Sequence, residues 1–315
     1  MNKYKYVFNH TLTNNPENIT AQFIKQTSKD DDIHVIKRRN HVIEIQKNLE
    51  ENNITEYPDV EDIEDCYIYV LRNKNIGHHF YSKFFSFYYE WRQNKKKVLY
   101  HSYGDQFFDD FFKSVIPSEY IIPQKLHILY KLNNCIMPEV NGKRDIKRYK
   151  NYCDVLEEIR DSCFKTFDIK PDRHLNVLYD RTDLSRKNIK YVDEKWIEAN
   201  NIIHIKDLVT NYTFKNLALL LSKTKRLILP VGAGCFNFLF LDKNSSVLEI
   251  NPYQFNSWAY MFGLSNMLKK GNYTYYVSRD IEKCDKATQG NKLLDSHILF
   301  TPQLRSIILN FINKN

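Results

Sequence analysis

The chain has 315 residues, enough for one large domain or two of ordinary size. Hydrophobic residues make up 43% and charged residues 27%, as in a globular protein, and no apolar stretch reaches the ~18 residues of a membrane span. The formal net charge of +8 favours anionic ligands without choosing between nucleic acid and a phosphate-bearing small molecule. Since the first residues lack the apolar core of a signal peptide, we expect a cytoplasmic protein.

The first half of the chain predicts a mixed α/β domain. Residues 33–36 and 41–45 are typical of a hairpin, and 66–71 and 98–101 of strands. A helix is predicted between the last two, with an aromatic face that we assign to the core. That face consists of Phe80, Phe84, Phe87, Tyr88 and Trp91. A second amphipathic helix, over 152–167, leads to an interdomain linker and ends a first domain of residues 1–168.

The second half alternates regularly between strands and helices. Thr213 is predicted to cap one of those helices. Alternation of this kind predicts a parallel sheet covered on both faces, so we expect a Rossmann-like domain over residues 169–300. A tail helix over 301–314 is expected to pack back on the first domain. The predicted strands are 175–179, 202–205, 226–230, 246–250 and 273–277.

Two of the chain's eight glycines, Gly232 and Gly234, follow the strand that ends at Pro230. Glycine at the carboxyl end of a strand lets the backbone approach a ligand, and a helix beginning there offers free N–H groups to a phosphate. A tight turn without a ligand is the alternative. The next strand is predicted to end at Glu249, where a carboxylate can accept both hydroxyls of a ribose. A surface position at the strand end is the alternative for Glu249.

Three segments, in this order, resemble family 61 glycosyltransferases. Residues 232–241, Gly-Ala-Gly-Cys-Phe-Asn-Phe-Leu-Phe-Leu, and 246–252, Ser-Val-Leu-Glu-Ile-Asn-Pro, resemble the block in which a His-Gly-Ala-Gly-Leu-x-Asn loop leads to a strand ending Glu-x-x-Pro. Residues 179–189 resemble the paired-arginine segment of that family. Residues 75–80, Asn-Ile-Gly-His-His-Phe, resemble its Asn-x-Gly-His-(Trp/Phe) motif.

The resemblance implies a GT-B-like fold, in which two Rossmann-like domains face each other across a cleft. It also implies an inverting, metal-independent transfer of a hexosyl or pentosyl group from a nucleotide sugar, with UDP as the expected nucleotide. The acceptor would be a hydroxyl of a glycan or glycoprotein. Neither a cofactor, a metal nor a nucleic-acid partner is expected. The donor-binding residues would be Arg181, Arg186, Gly232, Ala233, Gly234, Asn237 and Glu249.

Two chemical roles follow from the resemblance. Arg181 would stabilise the charge that grows on the leaving diphosphate, because a guanidinium binds phosphate oxygens bidentately and keeps its charge. His78 would act as the base, with Asn75 and His79 on the acceptor side; acceptor positioning and a purely structural role stay open for His78.

Two residues depart from the family pattern. Val231 stands where a histidine is usual, and Ser82 stands where an aspartate is usual.

Other classes of protein remain as alternatives. An NAD-dependent oxidoreductase would use a similar loop, but Asn237 stands where the third glycine of Gly-x-Gly-x-x-Gly is required. A non-catalytic protein that binds a nucleotide sugar or a glycan with the same fold is the second alternative. Nucleic-acid binding is disfavoured because the aromatic residues lie on core-like faces. The six cysteines lack the close spacing of a zinc site or redox pair, so we expect reduced, mostly buried thiols.

Overall fold

The computed structural model describes residues 3–9, 20–26, 33–35, 59–70, 76–101, 106–122, 128–133, 149–180, 188–206, 212–252, 264–282 and 296–314. Residue contacts divide the chain into two compact units. Unit 1 comprises 1–74, 86–109 and 116–140, and unit 2 comprises 75–85, 110–115 and 141–315. This division differs from the single boundary predicted at residue 168, since the helix before that boundary lies in unit 2.

Unit 1 contains two sheets. The larger has the order β3-β2-β1-β8-β4 and is antiparallel except for the pair of β4 and β8, so it differs from the parallel sheet of a Rossmann-like domain. The smaller, β5-β6-β7, is parallel. The strands are β1 (Lys3–Asn9), β2 (Thr20–Gln26), β3 (Ile33–Val35), β4 (Asp59–Glu64), β5 (Tyr67–Val70), β6 (Val98–His101), β7 (Ile121–Ile122) and β8 (Ile128–Asn133).

The predicted strands of this half are confirmed at β5 and β6. The predicted hairpin is not tested as a whole, because residues 41–45 lie outside the described residues; β3 pairs with β2. A 3-10 turn at Ser118–Tyr120 precedes β7.

Two helices contribute residues to both units: α1 (Ile76–Asn94) and α2 (Gln106–Val115). Within unit 1, Phe87 packs against Tyr69 with ring centroids 4.8 Å apart. Within unit 2, Phe84 packs against Phe111 at 4.7 Å. The aromatic face of α1 is therefore core, as predicted; its buried members are Phe84, Phe87, Tyr88 and Trp91, while the side chain of Phe80 lies outside the described residues.

Unit 2 is built on a five-stranded parallel sheet of order β11-β9-β12-β13-β14. A small three-stranded sheet, β10-β16-β15, accompanies it. The predicted strands are confirmed, and the third, fourth and fifth are longer than expected. The strands are β9 (Leu175–Tyr179), β10 (Ile189–Lys190), β11 (Ile202–Ile205), β12 (Thr224–Pro230), β13 (Ser246–Pro252), β14 (Tyr273–Ser278), β15 (Ile281–Glu282) and β16 (His297–Leu299).

Side-chain caps fix where three helices of unit 2 begin. Asp193, Thr213 and Thr301 each accept a hydrogen bond from the backbone N–H three residues later, which satisfies a donor that the helix leaves free. The cap predicted at Thr213 is confirmed. The helices are α3 (Tyr152–Phe167), α4 (Glu194–Ala199), α5 (Phe214–Ser222) and α6 (Pro302–Ile312), with 3-10 helices at Ala233–Phe240 and Leu264–Met267.

The two faces of the parallel sheet bury different helices. One face packs against α4 and α6, in a cluster that includes Leu178, Ile228, Leu248, Ile197 and Ile308. The expectation that the tail helix packs on the first domain is therefore corrected: its apolar side completes this cluster of unit 2. Since side chains alternate along a strand, Tyr273 lies on the opposite face, where Phe238 of the 3-10 helix contacts it.

Candidate functional site

The strand order of the parallel sheet defines a topological switch point. The connection after β9 leads to α4, on the face that also carries α6, whereas the connection after β12 leads to the 3-10 helix on the other face. The chain therefore leaves the sheet in opposite directions at the carboxyl ends of two neighbouring strands. Ligands of open α/β sheets bind in the crevice at such a point. This places the candidate site between the ends of β9 and β12.

The turn after β12 requires a glycine at its first position. Gly232 has φ 150° and ψ −162°, a backbone conformation that other residues hardly reach. The Val231 N–H donates to the carbonyl oxygen of Ile250 at 2.9 Å, so the turn begins beside the carboxyl end of β13. The Cys235 N–H then donates to the Gly232 carbonyl at 3.1 Å and starts the 3-10 helix.

Gly234 brings this turn against the neighbouring strand. A Cβ atom at position 234 would overlap Cε1 of Tyr179 and lie 3.0 Å from its Cδ1. A side chain here would have to displace that ring, because the backbone of the turn rests on it. Tyr179 is the last residue of β9, so the glycine segment and the chain that continues from β9 meet at the switch point.

A polar cluster lies at the carboxyl ends of β9 and β11. His204 has a side chain only 5% exposed; its Nδ1 donates to the Glu194 carboxylate at 3.0 and 3.1 Å, and its Nε2 lies 3.9 Å from Oδ2 of Asp180. Oδ1 of Asp180 accepts from the Ile189 N–H at 3.0 Å. Hydrogen bonds from His204 and then Lys206 hold the pKa of Glu194 below its usual value. Asp180 thus links the end of β9 to the start of β10.

Sequence reasoning missed His204 as a residue of this edge. A histidine inside the apolar strand Ile202–Ile205 was the available signal. Its partners could not be identified, because Glu194 lies on α4 and Asp180 on the neighbouring strand's end. The contact therefore depends on strand order, which the sequence left open.

Glu249 does not lie at a strand end. The expectation that its strand ends there is corrected, because β13 continues to Pro252 and Glu249 is its central residue, with no exposed surface. Tyr273 Oη donates to Oε2 of Glu249 at 2.6 Å. Burial, followed by the charge of Glu249, raises the pKa of the Cys235 thiol. In this arrangement the carboxyl group is inside the protein, bound to Tyr273.

The other predicted site residues are placed to different extents. Asn237 is buried in the 3-10 helix, and the backbone of Ala233 begins that helix. His78 and His79 lie in the first turn of α1, whose residues 76–85 belong to unit 2 with the parallel sheet; their side chains are outside the described residues. The residues that lie wholly outside the described ranges are Asn75, Arg181 and Arg186.

Two properties of the described residues concern metals and membranes. Within these ranges no three or more histidine, cysteine, aspartate and glutamate side chains are grouped to hold a metal ion. No helix that the structure describes has both the length and the apolar character needed to cross a membrane. The described cysteines are free thiols, and three of the four are buried, as expected: Cys66, Cys163 and Cys235.

Comparison of the sequence with protein-family models and with curated proteins finds no match.

Proposed function

We propose that this protein is an inverting, metal-independent glycosyltransferase that moves a sugar from a nucleotide-sugar donor to a hydroxyl of a glycan or glycoprotein. UDP is the proposed nucleotide. The donor would lie at the carboxyl edge of the parallel sheet in unit 2, and the acceptor would come from the opposite side of a GT-B-like cleft. The observation that carries the proposal is the packing of Gly234 against Tyr179.

That packing supports the proposal because it joins two sequence segments that the resemblance assigns to the donor. The glycine turn follows β12, and the segment with Arg181 and Arg186 follows β9. Both strands end at the switch point, where a nucleotide is expected in an open parallel sheet. The backbone N–H groups of the turn and the two guanidinium groups would then converge on one diphosphate.

The chemistry has two requirements. A base must take the proton of the acceptor hydroxyl, and the departing diphosphate must be stabilised as its negative charge grows. Arg181 and Arg186 meet the second requirement in this proposal. His78 is the proposed base, at the start of α1, where the positive end of the helix disfavours a protonated imidazole.

The test is release of the nucleotide from a panel of UDP- and GDP-sugars, measured with and without candidate acceptors. Release of UDP or GDP supports a transferase. Stabilisation by a nucleotide sugar without any release supports the alternative of a non-catalytic binding protein; a ligand at 100 times its dissociation constant adds about 2.7 kcal/mol. Binding of NADH in place of nucleotide sugars would contradict both.

A further inference from the structure

Asn251, the penultimate residue of β13, carries a buried amide with unmet hydrogen-bonding capacity. Its side chain has no exposed surface. Among the described residues, neither its Nδ2 nor its Oδ1 has a hydrogen-bond partner. A buried amide in that state is unfavourable, because folding removes its water without replacing the hydrogen bonds. Such groups are uncommon in folded proteins and call for a specific explanation.

Register places Asn251 beside the glycine turn. The Val231 N–H donates to the carbonyl of Ile250, so Val231 and Gly232 run alongside the last residues of β13. Gly232 adopts a conformation suited to glycine, and the 3-10 helix begins at the next residue. Asn251 therefore lies at the same edge of the sheet as the backbone N–H groups at the start of that helix.

Alternation along β13 shows which face Asn251 occupies. Glu249 and Asn251 are two residues apart and share a face of the sheet. Tyr273 binds Glu249, and the ring of Phe238 contacts Tyr273 with centroids 6.3 Å apart. The shared face is thus the one covered by the 3-10 helix, and Asn251 is the member nearer the carboxyl edge.

We infer that Asn251, rather than Glu249, is the side chain of β13 that binds the donor, and that it binds the ribose hydroxyls of the nucleotide. This inference rests on the proposed function. A hydroxyl both donates and accepts, so a pair of hydroxyls satisfies the amide nitrogen and the amide oxygen together. Glu249 is already engaged with Tyr273 in the interior of the sheet.

The experiment compares wild type with Asn251→Leu, of similar size but unable to form hydrogen bonds, by calorimetric titration of UDP and of 2′,3′-dideoxy-UDP. We expect UDP to bind Asn251→Leu about 10-fold or more weakly than wild type, a loss of about 1.4 kcal/mol or more in binding free energy. Dideoxy-UDP, which lacks the hydroxyls, should bind both proteins alike. Equal binding of UDP by the two proteins would overturn the inference. A loss equally large for dideoxy-UDP would assign the amide to another part of the nucleotide and overturn the ribose assignment.

A matched control is Asn176→Leu. Asn176 is an amide near the amino end of β9 whose Oδ1 is also buried without a partner, at the opposite edge of the same sheet. The Asn176→Leu variant should leave UDP binding unchanged. If it weakens UDP binding as much as Asn251→Leu does, any such substitution disturbs the sheet, and the inference is overturned. Asn251→Ser, which is smaller, serves the same comparison if the leucine variant does not fold.

The unliganded melting temperature separates failure of this inference from failure of the proposed function. Replacing an unsatisfied amide by an apolar side chain removes a cost, so the melting temperature of ligand-free Asn251→Leu should equal or exceed that of wild type. A lower melting temperature would mean that the amide is satisfied within the fold, and would overturn the inference. If wild type binds none of the UDP or GDP probes, the proposed function fails. The comparison of melting temperatures then decides by itself whether the Asn251 amide lacks hydrogen-bond partners within the fold.

Discussion

Tyr273 donates a hydrogen bond from Oη to Oε2 of Glu249, at 2.6 Å, and so binds two adjacent strands of the parallel sheet through their side chains. Glu249 has no exposed surface, so the loss of a buried partner is costly. We expect Tyr273→Phe to lower the free energy of unfolding by about 1–3 kcal/mol, the usual cost of losing one hydrogen bond to a buried carboxyl group. Urea unfolding followed by circular dichroism measures it.

Substitution of Glu249 itself distinguishes the structural role from the one predicted by the sequence. A ribose contact predicts that Glu249→Ala raises the donor KM with little effect on stability. The burial of Glu249 predicts loss of stability instead, with Glu249→Gln milder because it keeps an oxygen that accepts from Tyr273. If a Glu249 variant is as stable as wild type but has a raised donor KM, Glu249 binds the donor as the sequence predicted.

The contact between Gly234 and Tyr179 predicts strong coupling between the two positions. Gly234→Ala forces its methyl group into the ring, and overpacking of this kind costs about 1–3 kcal/mol. Tyr179→Ala removes the ring, so the double variant should lose less stability than the sum of the single variants. A double-mutant cycle in urea gives the coupling energy.

Gly271→Ala is the control for that cycle. Gly271 has φ +91°, but a Cβ there meets nothing within 4 Å. Its substitution should cost only the backbone strain, and Tyr179→Ala should leave that cost unchanged. Additive effects at positions 234 and 179 would contradict the close packing of the turn on β9.

The contrast between these residues shows what the sequence could predict. Bounds of strands such as 175–179 and 202–205 follow from short apolar runs between turn residues, and the cap at Thr213 follows from its own side chain. Glu249 was expected at the end of its strand because a nucleotide-binding sheet commonly has a carboxylate there. Its hydrogen-bond partner, Tyr273, lies on the next strand, and no local pattern of residues connects the two. Likewise, Tyr179 meets Gly234 only because β9 and β12 are neighbours. Strand order depends on the whole domain, and no local pattern specifies it.

The hydrogen bonds of Glu194 predict a pH dependence of stability. Hydrogen bonds from His204 and Lys206 lower its pKa in the folded protein. A lowered folded pKa means that the carboxylate stabilises the fold above the unfolded value of 4.5 and that this contribution is lost as the pH falls below it. Because the Glu194 side chain is 55% exposed, solvent screens the interaction, and we expect less than about 1 kcal/mol.

The measurement is the difference in unfolding free energy between wild type and Glu194→Gln at several pH values. The difference should be present at pH 7 and should shrink as the pH falls below about 4.5 and the wild-type carboxylate becomes protonated. Glu198→Gln, an exposed residue of the same helix, is the control and should show no such trend. A difference that grows as the pH falls would contradict the assignment.

Chelation tests the metal independence of the proposed transfer. If guanidinium and backbone N–H groups stabilise the leaving diphosphate, activity should persist in excess EDTA. Initial rates with and without EDTA, followed by addition of manganese, give the comparison. Complete loss in EDTA with recovery in manganese would show that a divalent ion performs the role proposed for the arginines.

Arg181→Ala tests the role of the leaving-group arginine. The charge on the diphosphate grows toward the transition state, so the interaction with Arg181 should strengthen there and its removal should lower kcat more than it raises the donor KM. Loss of one such donor typically costs about 100- to 1000-fold in kcat. Steady-state kinetics with saturating acceptor separates the two parameters.

Arg173→Ala is the matched control. Arg173 precedes β9 at the opposite edge of the sheet, where its Nη1 donates to the Asn244 carbonyl at 2.9 Å. Its substitution should leave kcat unchanged. A variant at 181 that raises only the donor KM would mean that Arg181 binds the ground state and transition state equally, and the stabilising charge would then have to come from Arg186 or the glycine turn.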